Sequence, residues 1–200
     1  MDKINIGANS LFYPMPVTLV GALVQGRPNF LAIAWVSRVN LNPPILAVAL
    51  NKVRHTGVGV QENQTFSVNV PGADLVKETD YCGIVSGKET DKSGLFEIFY
   101  GELKTAPMIR QCPMCMECRL IETVSLPTHN LFIGEVAGAY IEERYLTGGK
   151  PDIRKMKPFL FSRIDNSYWT LGEEIGKAYS IGKQFQGEAR YGLRPLACAI

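Results

Sequence analysis

Apolar residues along this 200-residue chain gather in short runs separated by turn residues. The runs are Val17 to Val24, Phe30 to Val39, Ile45 to Leu50, Phe66 to Val70, Cys118 to Val124 and Leu131 to Ile141. Runs of this length, punctuated by Gly26-Arg27-Pro28-Asn29 and Asn42-Pro43-Pro44 as turns, predict six strands in an antiparallel barrel or sandwich. Ile45 to Leu50 is apolar at every position, so both of its faces need cover, from a closed barrel plus a helix or a second subunit. One clear helical pattern follows Pro71-Gly72, with Leu75, Val76, Thr79 and Cys82 at helical spacing and an end at Gly83. Leu146 to Lys157, rich in Gly, Pro and charge, reads as a loop or short helix, and from Gln184 onward no period is visible.

Composition narrows the functional classes. A chain with 46% hydrophobic and 20% charged residues is expected to form one compact unit, here residues 1–183, followed by a tail, 184–200, that is mobile or packed on a partner subunit. The net charge of +2, spread along the chain, does not supply the basic stripe that nucleic acid requires. Pro14 and Pro16 interrupt the apolar stretch from Leu11 to Val24, which removes it as a membrane span or signal segment and leaves a cytoplasmic protein as the expectation. Five cysteines, an odd number, speak for reduced thiols.

Several residue groups carry candidate chemistry. Lys52, Arg54, His55 and Thr56 stand between a strand end and a helix expected to begin near Gly57, with Thr56 as its N-cap. The free N–H groups and positive dipole end of such a helix attract anions, and Lys52 or Arg54 would add charge-assisted bonds to a phosphate. A solvated basic turn is the alternative reading. The loop Ser86-Gly87-Lys88-Glu89-Thr90-Asp91-Lys92 lacks the glycine spacing and the Ser or Thr after lysine of a Walker motif. Lys92 either closes on the same anion or belongs to a polar surface loop. Cys112, Cys115 and Cys118 suggest a metal, yet no complete fourth ligand is evident and Cys118 opens an apolar strand, so no metal is expected. His129, at a strand mouth, is a structural hydrogen-bonding residue or a proton-transfer group. No nucleophile triad and no Gly-x-Gly-x-x-Gly for a nicotinamide dinucleotide are visible.

Six motifs in order give these pieces a common meaning: Tyr13-Pro14-x-Pro16-Val17, Ala34-Trp35-x-x-x-Val39-Asn40-x-x-Pro43-Pro44, Asn69-Val70-Pro71, Asp80-Tyr81-Cys82-Gly83-x-x-Ser86-Gly87, His129-x-Leu131-Phe132-Ile133-Gly134-Glu135-Val136 and Tyr168-x-x-Leu171-Gly172. From about Leu11 to Gly182 the chain resembles the flavin reductase-like family with the FMN-binding split-barrel fold, most closely its flavoredoxin branch. The resemblance implies a mainly β fold with flanking helices, a six-stranded antiparallel Greek-key split barrel. It also implies a homodimer with FMN near the subunit interface. Phosphate contacts would fall on Thr56 and Lys92, with Lys52, Arg54 and Ser86 nearby. Ring contacts would fall on Asn29, Trp35 and the backbone of Val36, Ser37, Arg38, Val39 and Asn40, flanked by His129 and Phe161. Phe159, two residues earlier, shares the face of Phe161. The implied activity is transfer of a hydride or electrons onto FMN, from NAD(P)H or a redox protein, and onward to a flavin, ferric or protein acceptor. An FMN electron carrier without NAD(P)H oxidation is the alternative.

Overall fold

The structure is a computed structural model that describes residues 2–8 and 14–184; Tyr13 and the expected tail from 185 onward lie outside the described residues. In chain order the strands are β1 (Met15–Pro16), β2 (Thr18–Val24), β3 (Arg27–Ile33), β4 (Val36–Asn40), β5 (Ile45–Asn51), β6 (Thr65–Val70), the short pair β7 (Ile98–Phe99) and β8 (Met108–Ile109), β9 (Met114–Ser125), β10 (His129–Ile141), the short pair β11 (Leu146–Thr147) and β12 (Lys150–Pro151), β13 (Phe159–Ser162) and β14 (Ser167–Thr170). Three α-helices, α1 (Thr56–Asn63), α2 (Val76–Ile84) and α3 (Ile153–Met156), flank them.

Seven strands form one antiparallel sheet in the order β3-β2-β6-β9-β10-β5-β4. Its two edge strands, β3 and β4, are joined by Ala34 and Trp35 alone. Two residues cannot span an open seven-stranded sheet, whose strands lie ~4.8 Å apart, so the sheet must curl until its edges meet. The expected barrel is present, with crossovers of the Greek-key kind. The strand count differs because the run from Phe30 to Val39 changes partners midway. Ile33 is still paired with Thr18 of β2, whereas the Ala49 N–H already donates to the Trp35 carbonyl at 3.0 Å. One continuous apolar run therefore becomes two strands and six becomes seven.

The β2–β3 turn also sits earlier than the sequence suggests. Val24 pairs with Arg27, leaving Gln25 and Gly26 as a two-residue turn, both at positive φ as such hairpins require. Arg27 to Asn29 are strand residues, and Pro28 is tolerated because β3 is an edge strand. β9 starts at Met114, four residues before the expected Cys118, and Leu146 to Lys157 contains the β11–β12 hairpin as well as α3. The expected helix after Gly72 begins as a 3₁₀ turn, Ala73–Leu75, before α2 proper.

Two clusters make the core. Val20, Leu31, Val48, Leu50, Phe66 and Phe132 fill the barrel interior, each fully buried large side chain contributing ~1.5–3 kcal/mol. Gly134 on β10 has no room for a Cβ, which would meet the Phe66 ring at 2.6 Å. The second cluster, Leu19, Phe30, Cys82, Met108, Cys112 and Cys115, lies between β2, β3, α2 and the following loops.

Candidate functional site

The seam of the barrel opens a trough with two compartments. The first, of about 360 Å³, is walled by Trp35 and by Phe161 of β13, with His129 of β10, Asn51, Arg54 and Arg163 supplying polar edges. The Trp35 and His129 rings lie 4.6 Å apart, tilted by 38°, so the two form one aromatic wall. Thr128 Oγ1 sits 2.8 Å from His129 Nδ1, leaving Nε2 as the ring's other polar atom. Phe159 is buried, whereas Phe161 is half-buried and faces the compartment, which separates two phenylalanines that share a strand face. Trp35 is 40% exposed, so it covers the trough from the rim.

The second compartment, about 200 Å³, joins the first through shared walls at Leu31 and Arg54. Asn29, Arg54, Thr56, Ser86, Gly87 and Lys92 meet in it, and no carboxylate lines it. The loop after α2 is drawn against β3 at Gly87, where a Cβ would stand 2.2 Å from Asn29 Oδ1. Asn29 Nδ2 donates to Thr56 Oγ1 at 2.7 Å, which leaves the buried Thr56 hydroxyl its proton to donate onward.

Thr56 reaches this position differently from expectation. The N-cap of α1 is His55, with no side-chain cap, and Thr56 is the first helical residue. Two N–H groups of the first turn are occupied: Gly57 N donates to Arg54 O and Val58 N to His55 O. Side chains therefore carry more of the anion-binding capacity than the helix end does.

Lys92 is not a surface-loop lysine. It is 2% exposed, and its Nζ donates to the Cys82 and Val85 carbonyls at 3.3 and 3.4 Å, at the C-terminal end of α2. Cationic groups favour that end of a helix, where carbonyls lack internal partners. Burial lowers the Lys92 pKa below the ordinary lysine value, opposed by the neighbouring Cys82 and reinforced by Arg54. An anion in the compartment would offset the burial of this charge.

The remaining expected residues do not enter the trough of a single chain. Lys52 is exposed, with its N–H donating to Thr128 O. On β4, Val36 packs on the barrel core. Ser37, Arg38, Val39 and Asn40 are exposed, Arg38 bonding to the carbonyls of Asn40 and Leu41 and Asn40 to that of Pro43. Sequence reasoning missed Leu31, Asn51, Gly87 and Arg163. Gly87 did carry a signal, as a glycine where backbone approaches a side chain closely.

The three clustered cysteines divide between the two cores: Cys118 belongs to the barrel interior and Cys112 and Cys115 to the second cluster. Burial pushes the Cys115 and Cys118 thiols up to about 12, and that of Cys112 well above its usual value. Buried neutral thiols on separate clusters behave as small hydrophobes.

A match to the flavin reductase like domain runs over residues 10–162. The chain belongs to this flavin reductase-like family. Among solved structures of similar fold is a flavoredoxin from Methanosarcina acetivorans, 57% identical, covering 92% of this chain and 98% of that one with a TM-score of 0.90. Another is the flavoredoxin of Desulfovibrio vulgaris (Miyazaki F), 36% identical, covering 90% and 100% with a TM-score of 0.84. Among curated relatives, the reductase component of the FADH(2)-dependent resorcinol hydroxylase of Rhizobium sp. is 27% identical over 66% of this chain and 73% of that protein. Family membership makes the chain a flavin-binding redox protein with the split-barrel fold. The motifs centred on Trp35, Ser86 and His129 reach the trough walls directly.

Proposed function

We propose that this protein is an FMN-binding oxidoreductase whose trough takes the flavin ring at the Trp35–His129–Phe161 end and the phosphate at the Asn29–Thr56–Ser86–Lys92 end. The observation that carries this reading is the continuity of the two compartments through Leu31 and Arg54, one aromatic and one cationic without a carboxylate. An isoalloxazine needs a flat, largely apolar slot with polar groups at its edge, and a phosphate needs convergent donors. The donor set fits: Thr56 and Ser86 offer hydroxyls, and Arg54 and Lys92 offer charge. Bound FMN supplies the hydride and electron chemistry, which removes the need for a protein nucleophile. Trp35 and Phe161 exclude water from the ring, and His129 stands where a proton can be exchanged at the ring edge.

The electrons would come from NAD(P)H or a redox protein and pass to a flavin, ferric or protein acceptor. Likeness to two flavoredoxins favours a second reading, an FMN electron carrier that does not itself oxidise NAD(P)H. Anaerobic mixing of the FMN-loaded protein with NADH and NADPH in turn separates them. Bleaching of the flavin band on a turnover timescale supports the enzyme, and an unchanged band with both nucleotides supports the carrier.

The same reading includes a homodimer. Ile45 and Ala49 of β5 face away from the barrel core beside Leu131 and Ile133 of β10, an apolar stripe half-exposed in the single chain. A second copy would cover the stripe and bring β4 toward the trough mouth, consistent with contacts near an interface.

A further inference from the structure

Asp80 on α2 and Tyr168 on β14 stand 88 positions apart in the chain and meet in the fold: the Tyr168 hydroxyl donates to Asp80 Oδ1 at 2.8 Å. Neither residue lines the trough. Burial, and then the bond to Asp80, raise the Tyr168 pKa above the ordinary tyrosine value. The hydroxyl therefore keeps its proton and stays a donor.

The reach of this bond runs through Phe161. Phe161 belongs to β13, the central strand of the small sheet β1-β13-β14, which stands apart from the seven-stranded sheet. It is paired with Met15 of β1 on one side and with Tyr168 of β14 on the other. Directly opposed residues share a sheet face, so Met15 and Phe161 wall the ring compartment while Tyr168 supports Phe161 from outside it. The Tyr168 ring lies 5.6 Å from that of Phe161, tilted by 41°, and meets the buried Phe159 edge-on at 5.4 Å. Three rings in mutual contact leave Phe161 little freedom to turn.

The small sheet is fastened to the molecule at two places besides β1. At the start of β13, Ala73 N donates to Lys157 O at 2.9 Å and Gly72 bridges Pro158. Beside Phe161, the Tyr168–Asp80 bond is, among the described residues, the one side-chain hydrogen bond joining β13 and β14 to other elements. The helix that receives it also holds the phosphate end, because the Cys82 and Val85 carbonyls accept from Lys92. One short helix thus fixes both ends of the trough.

We propose that Asp80 and Tyr168 are a positioning pair that holds the Phe161 wall against the flavin ring. The inference rests on the flavin reading of the trough and adds to it two residues that touch no ligand. Without the bond the β13–β14 hairpin loses its tie to α2, the wall draws back, and water reaches that side of the ring. A wetter ring environment changes both the absorption and the redox potential of a bound flavin.

The test compares wild type with Tyr168→Phe, which removes the hydroxyl and keeps the ring packing, with Asp80→Ala, and with Asp80→Asn, which keeps an acceptor oxygen. Flavin-free protein is titrated with riboflavin, which has the ring without the phosphate, and with FMN. The visible spectrum and midpoint potential of the bound FMN are then recorded. Tyr168→Phe is expected to weaken riboflavin and FMN by the same factor, about two- to tenfold as for one hydrogen bond, and to shift spectrum and potential. Asp80→Ala should match it, the double variant Tyr168→Phe/Asp80→Ala should be no worse than either, and Asp80→Asn should restore most of the wild-type behaviour. An unchanged spectrum, potential and riboflavin affinity in Tyr168→Phe overturns the proposal, even with a lower Tm, because the bond is then a structural tie alone. Weakening of FMN with riboflavin unaffected also overturns it, since the change then lies at the phosphate end. Wild-type protein that binds neither flavin overturns the flavin reading together with the proposal.

Discussion

Asn29 illustrates how one side chain ties the fold to the site. It is buried on β3, donates to Thr56 on α1 and is pressed against Gly87 in the loop after α2, so three elements meet at a single amide. Replacing it by alanine leaves the Thr56 hydroxyl without its partner and opens space under Gly87. Asn29→Ala is expected to weaken FMN binding and lower stability, each by ~1–3 kcal/mol, measurable by flavin titration and denaturant unfolding. Lys92 makes a pH-dependent prediction. Its folded pKa lies below the usual lysine value, chiefly through burial, so the charged form carries a cost that is relieved as pH rises past that pKa. Phosphate binding needs the charge. FMN affinity should therefore hold through neutral pH and decline on the alkaline side before an ordinary lysine would titrate, and Lys92→Met should abolish that decline while binding weakly throughout. A wild-type affinity that is flat into the alkaline range would remove Lys92 from the anion contact.

At the scale of elements, strands were legible because alternation and β-branched runs report burial directly, and the apolar run Ile45 to Leu50 lies in β5, with Leu46, Val48 and Leu50 turned into the barrel core. The break at Ala34-Trp35 was not legible, since a partner switch leaves each residue as apolar as before. Thr56 was placed at the right end of α1 for the wrong reason: cap preference suggested an N-cap, while tertiary contact with Asn29 determined its role. The burial of Lys92 was equally hidden, because a lysine among Ser, Gly and charged residues reads as surface until α2 is seen to end against it. The buried cysteines report directly on the packing of both cores. With Cys82 raised to about 11 and Cys115 and Cys118 to about 12, thiolate is scarce at pH 8 in the folded state. Brief iodoacetamide treatment followed by mass spectrometry should leave Cys82, Cys112, Cys115 and Cys118 unmodified in native protein and label all four after denaturation. Native labelling of Cys115 would show that the second core is open.

For the whole molecule, the barrel's closure is what creates the site. β3 and β4 are edges of one sheet that meet at Trp35, and the trough runs from that seam along β3 toward α1 and the loop ending at Lys92. The motif residues Trp35 and His129 line one end of the trough and Ser86 the other, yet their union depended on the curl of the sheet, which no local pattern encodes. The outward apolar stripe of β5 and β10 predicts association: sedimentation equilibrium should give about twice the 22.1 kDa chain mass, and Ile133→Asp should shift it toward the single chain. A wild-type protein that sediments as one chain would leave that stripe without its second copy. Titration of flavin-free protein with FMN, followed by quenching of flavin fluorescence together with the visible spectrum, measures occupancy of the trough. Binding is expected to saturate at one FMN per chain, with Trp35→Ala altering the bound spectrum and Thr56→Ala weakening affinity. FMN that stays fully fluorescent, or binding indifferent to both substitutions, would contradict binding of the flavin in the trough.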